Sequence, residues 1–307
     1  MVTTAASTAP ARRVGFHEGE LLVQRRAGVG AEAHRLERML DLPDLTGGAE
    51  RFLADRTFAV LTGRGPDGRL WTSPLRGPAG FLRASARTLR IAALPSPSDP
   101  LHGIVVGEQI GLVAIEFSAR RRVRVNGRLS SVGPDWMEID VDQAFGNCPQ
   151  YISRRSFVPA EPSAPQPGAA ERSTTLSDED RALIETVDTF FLGTSHPDRG
   201  ADASHRGGPT GFVTTDHDQL WWPDLPGNNM FNSLGNLAVD PAASLLFVDW
   251  ADGTVLELSG TAEVEWYAAD RSDDETGRRV RFTTESVVRR RDPALRAEDT
   301  AREGSTR

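Results

Sequence analysis

The side chains best suited to hold a ligand lie in two short segments of the second half of this 307-residue chain. The first segment, residues 204–208, reads Ser-His-Arg-Gly-Gly. The hydroxyl of Ser204, the guanidinium of Arg206 and the N–H groups of Gly207 and Gly208 are the groups that bind anions, and glycine lets backbone amides approach an anion closely. We therefore expect an anion site here.

The second segment, residues 221–236, combines aromatic rings with neutral hydrogen-bonding groups. Trp222, or its neighbour Trp221, offers an aromatic face for a planar ring. The neutral groups within eight residues are Asn229, Asn232, Ser233 and Asn236. A helical turn over residues 231–237 would place the last three of them on one face. Neutral donors beside one arginine suit a phosphate and a polyol better than a hydrolytic site, although glycine, asparagine and proline also shape turns.

A run of arginines in the first half forms a third feature. Strand geometry would place its even-numbered residues on one face and turn Val123 and Val125 toward a core. The even-numbered residues are Arg120, Arg122, Arg124, Asn126 and Arg128. Two roles remain open for this cationic face: it is solvated, or it contacts the other half of the chain or an anionic substrate.

These segments belong to a repeated pattern. Residues 73–81 and 204–212 share five of nine positions, 131 residues apart, and further matched segments keep an offset of 131 to 133. Such self-similarity predicts a duplicated unit. Each copy reads as a helix followed by short strands with turn signals between them, which predicts a mainly β chain of two small barrels with flanking helices.

The predicted boundaries follow from the repeat and from composition. We expect a helical lead-in and first barrel over 1–157, a proline-rich linker over 158–176, a second barrel over 177–290 and a charged tail over 291–307. The ligand site is assigned to the second barrel, and the first is expected to carry a degenerate one.

Composition narrows the classes of function. A net charge of −8 argues against nucleic-acid binding, and no apolar run approaches the length of about 18 residues that a membrane span needs. All 35 basic residues are arginines, so any bound anion must be held without lysine. The single cysteine, Cys148, fits a reducing compartment, and the first residues lack the apolar region of a signal peptide. We therefore expect a cytoplasmic protein.

No strong catalytic motif is present in the sequence. Cys148 has no cysteine or histidine partners at metal-ligand spacing, so no metal site is expected. Among the histidines of the second half, His205 is best placed to touch a ligand. Serine-hydrolase, zinc-protease and phosphate-loop patterns are missing, and the catalytic residues stay unknown.

In combination, these motifs resemble the FMN-binding split-barrel superfamily, and more narrowly the flavin-nucleotide-binding proteins related to pyridoxamine 5′-phosphate oxidase. The resemblance covers roughly residues 14–290. It rests on residues 206–212 and 222–236, and in the first half on residues 16–20, 120–128 and 145–152.

The resemblance implies two tandem split barrels that form an internal pseudo-dimer, with FMN at the interface between barrels. It places Ser204 and Arg206 on the strand beneath the flavin. Asn232 and Ser233 fall near the Ser-Arg-Lys phosphate clamp of the oxidase, a departure that removes two cations. In the first half Leu75 stands at the position of Arg206, which is why its site is expected to be degenerate.

The function expected from the resemblance is that of an FMN-dependent oxidoreductase using two-electron flavin chemistry on an unknown small-molecule substrate. A nicotinamide nucleotide is a candidate electron donor, and further association into a homodimer is left open. The alternative is a non-catalytic binding or carrier module for FMN, deazaflavin or haem. With the site in the second barrel, Arg206→Ala is expected to weaken flavin retention strongly and Arg124→Ala is not.

Overall fold

The computed structural model describes residues 15–40, 45–146, 148–158, 168–227, 229–268 and 276–300. The predicted lead-in before residue 15, the end of the tail after residue 300 and residues 159–167 of the predicted linker lie outside this description. None of the described helices is long and apolar enough to cross a membrane.

Five α-helices are described, three of which precede the first sheet in the chain. They are α1 (Glu18–Ala27), α2 (Gly30–His34), α3 (Gly48–Ala54), α4 (Asp178–Thr186) and α5 (Asn232–Leu237). Short 3₁₀ turns cover Glu37–Leu40 and Pro293–Leu295. The described part of the predicted helical lead-in thus contains α1, α2, a 3₁₀ turn and α3.

The strands form two large sheets and one small sheet of two strands. The first half provides β1 (Phe58–Arg64), β2 (Leu70–Arg76), β3 (Leu82–Ser85), β4 (Thr88–Ile91), β5 (Gln109–Glu116), β6 (Arg121–Val132), β7 (Met137–Gly146) and β8 (Arg155–Phe157). The second half provides β9 (Glu171–Ser173), β10 (Thr189–His196), β11 (Gly200–Gly207), β12 (Thr214–Asp216), β13 (Gln219–Pro223), β14 (Ala242–Asp249), β15 (Thr254–Trp266), β16 (Arg278–Arg291) and β17 (Ala297–Asp299).

Both sheets have the same strand order. The first runs β2-β1-β5-β6-β7-β4-β3, and the second runs β11-β10-β14-β15-β16-β13-β12 with β9 added to β16. The register also corresponds, because Ser73 pairs with Leu61 in the first sheet and Ser204 with Leu192 in the second. The mainly β fold of two tandem split barrels is therefore confirmed.

Each barrel encloses its own apolar core, and a third core joins them. Leu61, Trp71 and Val125 belong to the first core, whereas Phe190 and Trp222 belong to the second. The third core combines residues of both sheets with three residues outside the strands, Phe117, Ile152 and Leu295. Its strand residues are Phe58, Val60, Val113, Ile115, Phe191, Ala203, Leu246, Val248 and Val255. The barrels are thus held against each other by a continuous apolar seam.

The backbones of the two barrels approach closely beside this seam. A Cβ on Gly111 of β5 would lie 2.6 Å from the backbone of Asp202 on β11, which leaves no room for a side chain. Thr72 and Ser244, both fully buried, share a hydrogen bond of 2.6 Å across the interface. Glycine at the point of contact allows the strands to pack at this distance.

Short strands lie in both segments that were predicted to be irregular. β9, within the predicted linker, pairs with β16, and β17, within the predicted tail, pairs with β8 of the first half. β16 itself runs to Arg291. Described residues of the predicted linker and tail therefore belong to the sheets, because their backbone groups complete strand edges.

Candidate functional site at the interface between the barrels

A pocket opens where β6 of the first barrel faces β11, β13 and α5 of the second. Its empty space, including the open mouth, measures about 920 Å³. The first barrel contributes Arg122, Arg124, Phe145 and the loop residues Cys148, Gln150 and Tyr151. The pocket therefore has walls from both barrels, as the resemblance implies, and most of its lining comes from the second barrel, to which the site was chiefly assigned.

Seven of the nine residues predicted to bind the ligand line this pocket. They are Ser204, Arg206, Gly207, Trp222, Asn229, Asn232 and Ser233. Trp221 is not among the lining residues, so Trp222 is the tryptophan that reaches the pocket. The helical turn expected near residue 231 is present as α5, and it carries Asn232 and Ser233 to the pocket wall.

The other two predicted residues, Gly208 and Asn236, have their polar groups engaged elsewhere. The N–H of Gly208 donates to the carbonyl of Asp188 at 3.0 Å, so it does not face an anion. A Cβ on Gly208 would lie 2.6 Å from the Phe212 ring, which explains the glycine by packing. The Asn236 amide donates to Thr194 Oγ1 at 2.9 Å, and its oxygen lies 3.1 Å from His17 Nε2.

Gly207 also has a structural reason to be glycine. A Cβ at this position would overlap the carbonyl oxygen of Tyr151, which belongs to the first barrel. The residue therefore lets the loop that carries Tyr151 close against β11. This contact forms one side of the pocket, so Gly207 shapes the site by allowing two backbones to meet.

Arg124 connects the two barrels at the pocket wall. Its guanidinium donates to Ser204 Oγ at 2.7 Å and to Asp202 Oδ2 at 2.9 Å. Asp202 also accepts from Ser233 Oγ at 3.1 Å and from Asn126 Nδ2 at 3.2 Å. These side chains are buried, so Arg124 is part of the pocket wall, a position that the expected weak effect of Arg124→Ala on flavin retention did not take into account.

Positive charge exceeds negative charge at the pocket. Its arginines are Arg122, Arg124, Arg206 and Arg278, and the carboxylates in contact with them are Asp202 and Asp224. Asp224 pairs with Arg278 at 2.9 Å and lies 3.8 Å from Arg206. Four cations against two anions leave an excess of two positive charges, which suits a doubly charged anion such as a phosphate monoester.

Arg122 is the least neutralised of these groups. Burial, followed by the charges of Arg124 and Arg206, lowers its pKa to about 9. Burial also lowers the pKa of Arg206. The Nε atoms of both residues are buried without a hydrogen-bond partner. Since buried polar groups are normally satisfied, these donors point to an anionic ligand.

His205 is neutral in this environment. Arg122 donates to His205 Nδ1 at 2.7 Å, which leaves the ring proton on Nε2. Burial, followed by the charge of Arg122, holds the pKa of His205 well below its ordinary value. The ring also packs against Phe117 and Phe191, with centroids 6.3 and 5.6 Å away. His205, the histidine expected to touch a ligand, lines the pocket and also helps to orient Arg122.

Strained backbone concentrates around the pocket. Tyr151, Asn229 and Phe231 have φ angles of 61°, 60° and 60°, in the left-handed region that bulky residues rarely adopt. Phe231 immediately precedes α5, and the Arg278 guanidinium lies 5.0 Å from its ring centroid. Strain of this kind persists where the surrounding structure imposes it, and it is common at binding sites.

In the first barrel, the place equivalent to this site is filled by buried charges. Leu75, at the position of Arg206, is buried, and Ser73 donates to Asp99 Oδ1 at 2.8 Å. Asp99 pairs with Arg290 at 2.8 Å, and Arg290 pairs with Glu257 at 3.1 Å. Burial and the neighbouring Glu257 raise the pKa of Asp99 to about 8. An internal ion cluster thus stands where the second barrel has its pocket wall.

The helix α1 is anchored behind the pocket by a pair of histidines. His17 and His196 have ring centroids 4.3 Å apart, and Glu18 lies 3.2 Å from His196 Nε2. Both Nδ1 atoms accept backbone N–H groups, from Gly19 in one ring and from Asp198 and Arg199 in the other. In the neutral form of either ring, the proton therefore lies on Nε2. A metal at this place would have to bind that same Nε2 atom, which is not available while it carries the proton.

The fold and the pocket define a split-barrel protein in which two barrels of one chain form a shared site. Residues 176–295 match the family model of pyridoxamine 5′-phosphate oxidase. The relation to the pyridoxamine 5′-phosphate oxidase family that the motifs suggested is therefore supported over the second barrel, where the match lies.

Solved structures with similar barrels include a HupZ protein of Group A Streptococcus, at 13% identity and a TM-score of 0.29, covering 36% of this chain and 90% of that one. A second is a protein of the pyridoxinephosphate oxidase family from Clostridium acetobutylicum, at 16% identity and a TM-score of 0.26; the match covers 41% of this chain and 93% of that one. A third is the FAD binding protein from Mycobacterium smegmatis, at 16% identity and a TM-score of 0.27; the match covers 40% of this chain and 100% of that one. No curated protein matches the chain.

Sequence reasoning missed the part of the site that the first barrel and the end of the second provide. Arg122 and Arg124 were recognised as a cationic face, and their alternation was correct, but their partner was left open. Arg278 carried no local signal, and Tyr151 lay in the motif at residues 145–152 without being assigned a role. Pairing across the interface depends on how the barrels pack, and no short sequence window contains that information.

Proposed function

We propose that this chain binds FMN in the pocket between the barrels and acts as an oxidoreductase by two-electron flavin chemistry. The observation that carries the proposal is the excess of guanidinium groups over carboxylates at the pocket, where Arg122 and Arg206 have buried Nε atoms without partners. A phosphate monoester carries a charge near −2 at neutral pH and would satisfy both arginines.

The residues present fit the three parts of FMN. Arg122 and Arg206 suit the phosphate, and Arg122, supplied by the first barrel, replaces one of the two cations that the oxidase clamp has and this chain lacks. The amides of Asn229 and Asn232 suit the hydroxyl groups of the ribityl chain. Trp222 and Phe231 supply apolar surface for the ring system.

When bound, the isoalloxazine ring would supply the redox chemistry. The chain itself would bind and orient the cofactor and exclude water. The excess positive charge of the pocket would favour any negative charge that develops in it, because fixed guanidinium groups need no reorganisation. His205, being neutral and turned toward Arg122, would hold that arginine in place and would not transfer a proton.

The proposal includes several finer statements. The two barrels act as an internal pseudo-dimer: the first barrel ends near residue 157, a linker runs to residue 176, and the second barrel ends near residue 290. The partners of the protein are a small-molecule substrate and a nicotinamide nucleotide. Further association into a homodimer would leave this site intact, since both its walls belong to one chain. The single cysteine agrees with a cytoplasmic location.

One observation favours the alternative of a binding or carrier module without turnover. The titratable groups at the pocket are not arranged for proton transfer, because Asp224 is paired with Arg278 and His205 is neutral. Such a module would hold FMN or a deazaflavin. Haem stays a third candidate ligand, because the lining includes His205, Cys148, Tyr151 and Met230, residue types that bind haem iron.

The proposal is tested by the absorption spectrum of the purified protein from 300 to 700 nm and the mass of the ligand released by heat. Flavin bands and the mass of FMN are expected, and a nicotinamide nucleotide should bleach the bands until an acceptor is added. Bands that never bleach with any donor would support the carrier module. A colourless protein that takes up no added FMN would overturn the proposal.

A further inference from the structure

The amino-terminal helix α1 packs directly against α5, the helix that carries two pocket residues. A Cβ on Gly19 would overlap the carbonyl oxygen of Gly235, and a Cβ on Gly235 would lie 2.6 Å from the Glu20 backbone nitrogen. The two helices therefore meet backbone to backbone. The motif Phe-His-Glu-Gly-Glu, residues 16–20, forms this contact, and the proposed function does not yet give it a role.

Glu20 is the residue of α1 that reaches a pocket side chain. Its carboxylate is 1% exposed and accepts from Asn232 Nδ2 at 3.0 Å through one oxygen and from the backbone N–H of His17 at 2.8 Å through the other. On the other side of the amide, Asn232 Oδ1 faces Arg124 at 3.5 Å. An ionised carboxylate only accepts and a guanidinium only donates, so these two neighbours fix the orientation of the amide.

We propose that Glu20 is a positioning residue for the bound ligand, and that its ionised form holds Asn232 in the orientation that the ligand requires. Protonation would convert one carboxylate oxygen into a hydroxyl donor. Either Asn232 or the N–H of His17 would then lose its acceptor, and the fixed amide would be released. The binding of a ligand in the pocket is thus coupled to a proton held on α1. This inference rests on the proposed function for its choice of ligand.

The surroundings of Glu20 place this protonation near neutrality. Burial raises the pKa of Glu20 to about 7, with Asp202 of β11 acting in the same direction. The hydrogen bonds from His17 and Asn232, together with the charge of Arg199 between β10 and β11, act against this rise. His17, whose Nε2 lies 3.6 Å from the carboxylate, is itself neutral because burial lowers its pKa to about 4. Affinity is therefore expected to fall as the pH drops through about 7.

The first test measures the dissociation constant of FMN between pH 6 and pH 8.5 in the wild type, Glu20→Gln and Glu18→Gln. Glu18 is an exposed neighbour in the same helix, so its variant removes the same charge without touching Asn232. The FMN phosphate also titrates, near pH 6, and this contribution is common to all three proteins.

As the pH is lowered from 8.5 to 6, the wild type and Glu18→Gln should lose more affinity for FMN than Glu20→Gln does. At pH 8.5 Glu20→Gln should bind about tenfold more weakly than the wild type, the effect of losing one charged hydrogen bond. Equal pH profiles and equal affinities in the wild type and Glu20→Gln would overturn the inference.

The second test needs no ligand. The side-chain amide of Asn232 is followed by NMR in asparagine-labelled protein, with Asn232→Asp used for assignment. Its signals should titrate with a midpoint near pH 7 in the wild type and should not do so in Glu20→Gln. Signals that do not change between pH 6 and pH 8.5 in the wild type would overturn the inference even if FMN binds, whereas a failure to bind FMN would overturn only the proposed function.

Discussion

Arg124 of the first barrel donates a hydrogen bond of 2.7 Å to the buried hydroxyl of Ser204 in the second. The same guanidinium forms an ion pair of 2.9 Å with Asp202, whose side chain is 2% exposed. One residue therefore closes the pocket wall and ties the two sheets together. We therefore expect both ligand binding in the pocket and the stability of the fold to depend on the contacts of Arg124.

Replacing Arg124 is expected to destabilise the protein. In Arg124→Ala, Asp202 would remain buried without its cation, and breaking a buried pair from one side costs about 3 to 5 kcal/mol. Urea denaturation measures the free energy of unfolding. The double variant Arg124→Ala with Asp202→Ala should be more stable than Arg124→Ala alone, because no uncompensated charge remains. A single variant as stable as the wild type would contradict the role of this pair.

Gly207 and Gly227 line the same pocket and should respond differently to alanine. Gly207→Ala forces a Cβ onto the Tyr151 carbonyl and is expected to cost more than about 2 kcal/mol and to weaken FMN binding. Gly227→Ala meets its nearest neighbour at 3.9 Å and should be tolerated. Thermal unfolding and FMN titration of both variants provide the comparison. Equal behaviour would show that the Tyr151 loop does not close on β11.

The chain is expected to bind one FMN and not two. In the first barrel the equivalent place holds Leu75 and the buried cluster of Asp99, Arg290 and Glu257, in which Arg290 is already paired with both carboxylates. Isothermal titration calorimetry gives the stoichiometry directly. A value near two sites per chain would mean that the cluster opens to admit a ligand.

Acid should weaken the protein partly through His17. Burial holds its pKa at about 4 in the folded chain, against 6.5 ordinarily, so its stabilising contribution is complete above pH 6.5 and is lost as the pH falls toward 4. Between pH 7.5 and pH 5 the loss is about 2 kcal/mol.

The variant His17→Gln removes this contribution and should lose correspondingly less stability over the same range, as measured by urea denaturation at both pH values. His205 is buried and neutral in both proteins, so its own effect cancels from the comparison. Identical losses in the two proteins would show that His17 does not govern the acid response.

The sequence predicted the fold better than it predicted the site. The repeat at residues 73–81 and 204–212 and the alternation of the strands were sufficient for two β-units, because both are local signals. The positions of Ser204 and Asn232 were also predictable, since their residue types cluster along the chain. Gly208 was misread because a glycine required by packing against Phe212 is identical in sequence to one required by a ligand.

Contacts between distant segments account for what could not be predicted. Glu20 and Asn232 are 212 residues apart, and only the packing of α1 on α5 brings them together. In the same way, Arg124 meets Asp202 because one outer face of the first sheet lies against the edge strand of the second. Patterns in one segment reveal its exposed and buried faces, but they do not reveal its partner.

The central claim is that Arg206 and Arg122 hold the phosphate of a flavin between the barrels. Its most direct test is a fluorescence titration with FMN and with riboflavin, which lacks the phosphate, in the wild type, Arg206→Leu and Arg69→Ala. Arg206→Leu introduces the residue that the first barrel has at Leu75, and Arg69 is an exposed arginine paired with Glu285 that serves as the control.

The wild type and Arg69→Ala should bind FMN far more tightly than riboflavin. Arg206→Leu should lose about 10- to 100-fold in FMN affinity, the range of one or two charged hydrogen bonds, with little change for riboflavin. Equal affinity for FMN and riboflavin in the wild type, or an unchanged FMN affinity in Arg206→Leu, would contradict the account.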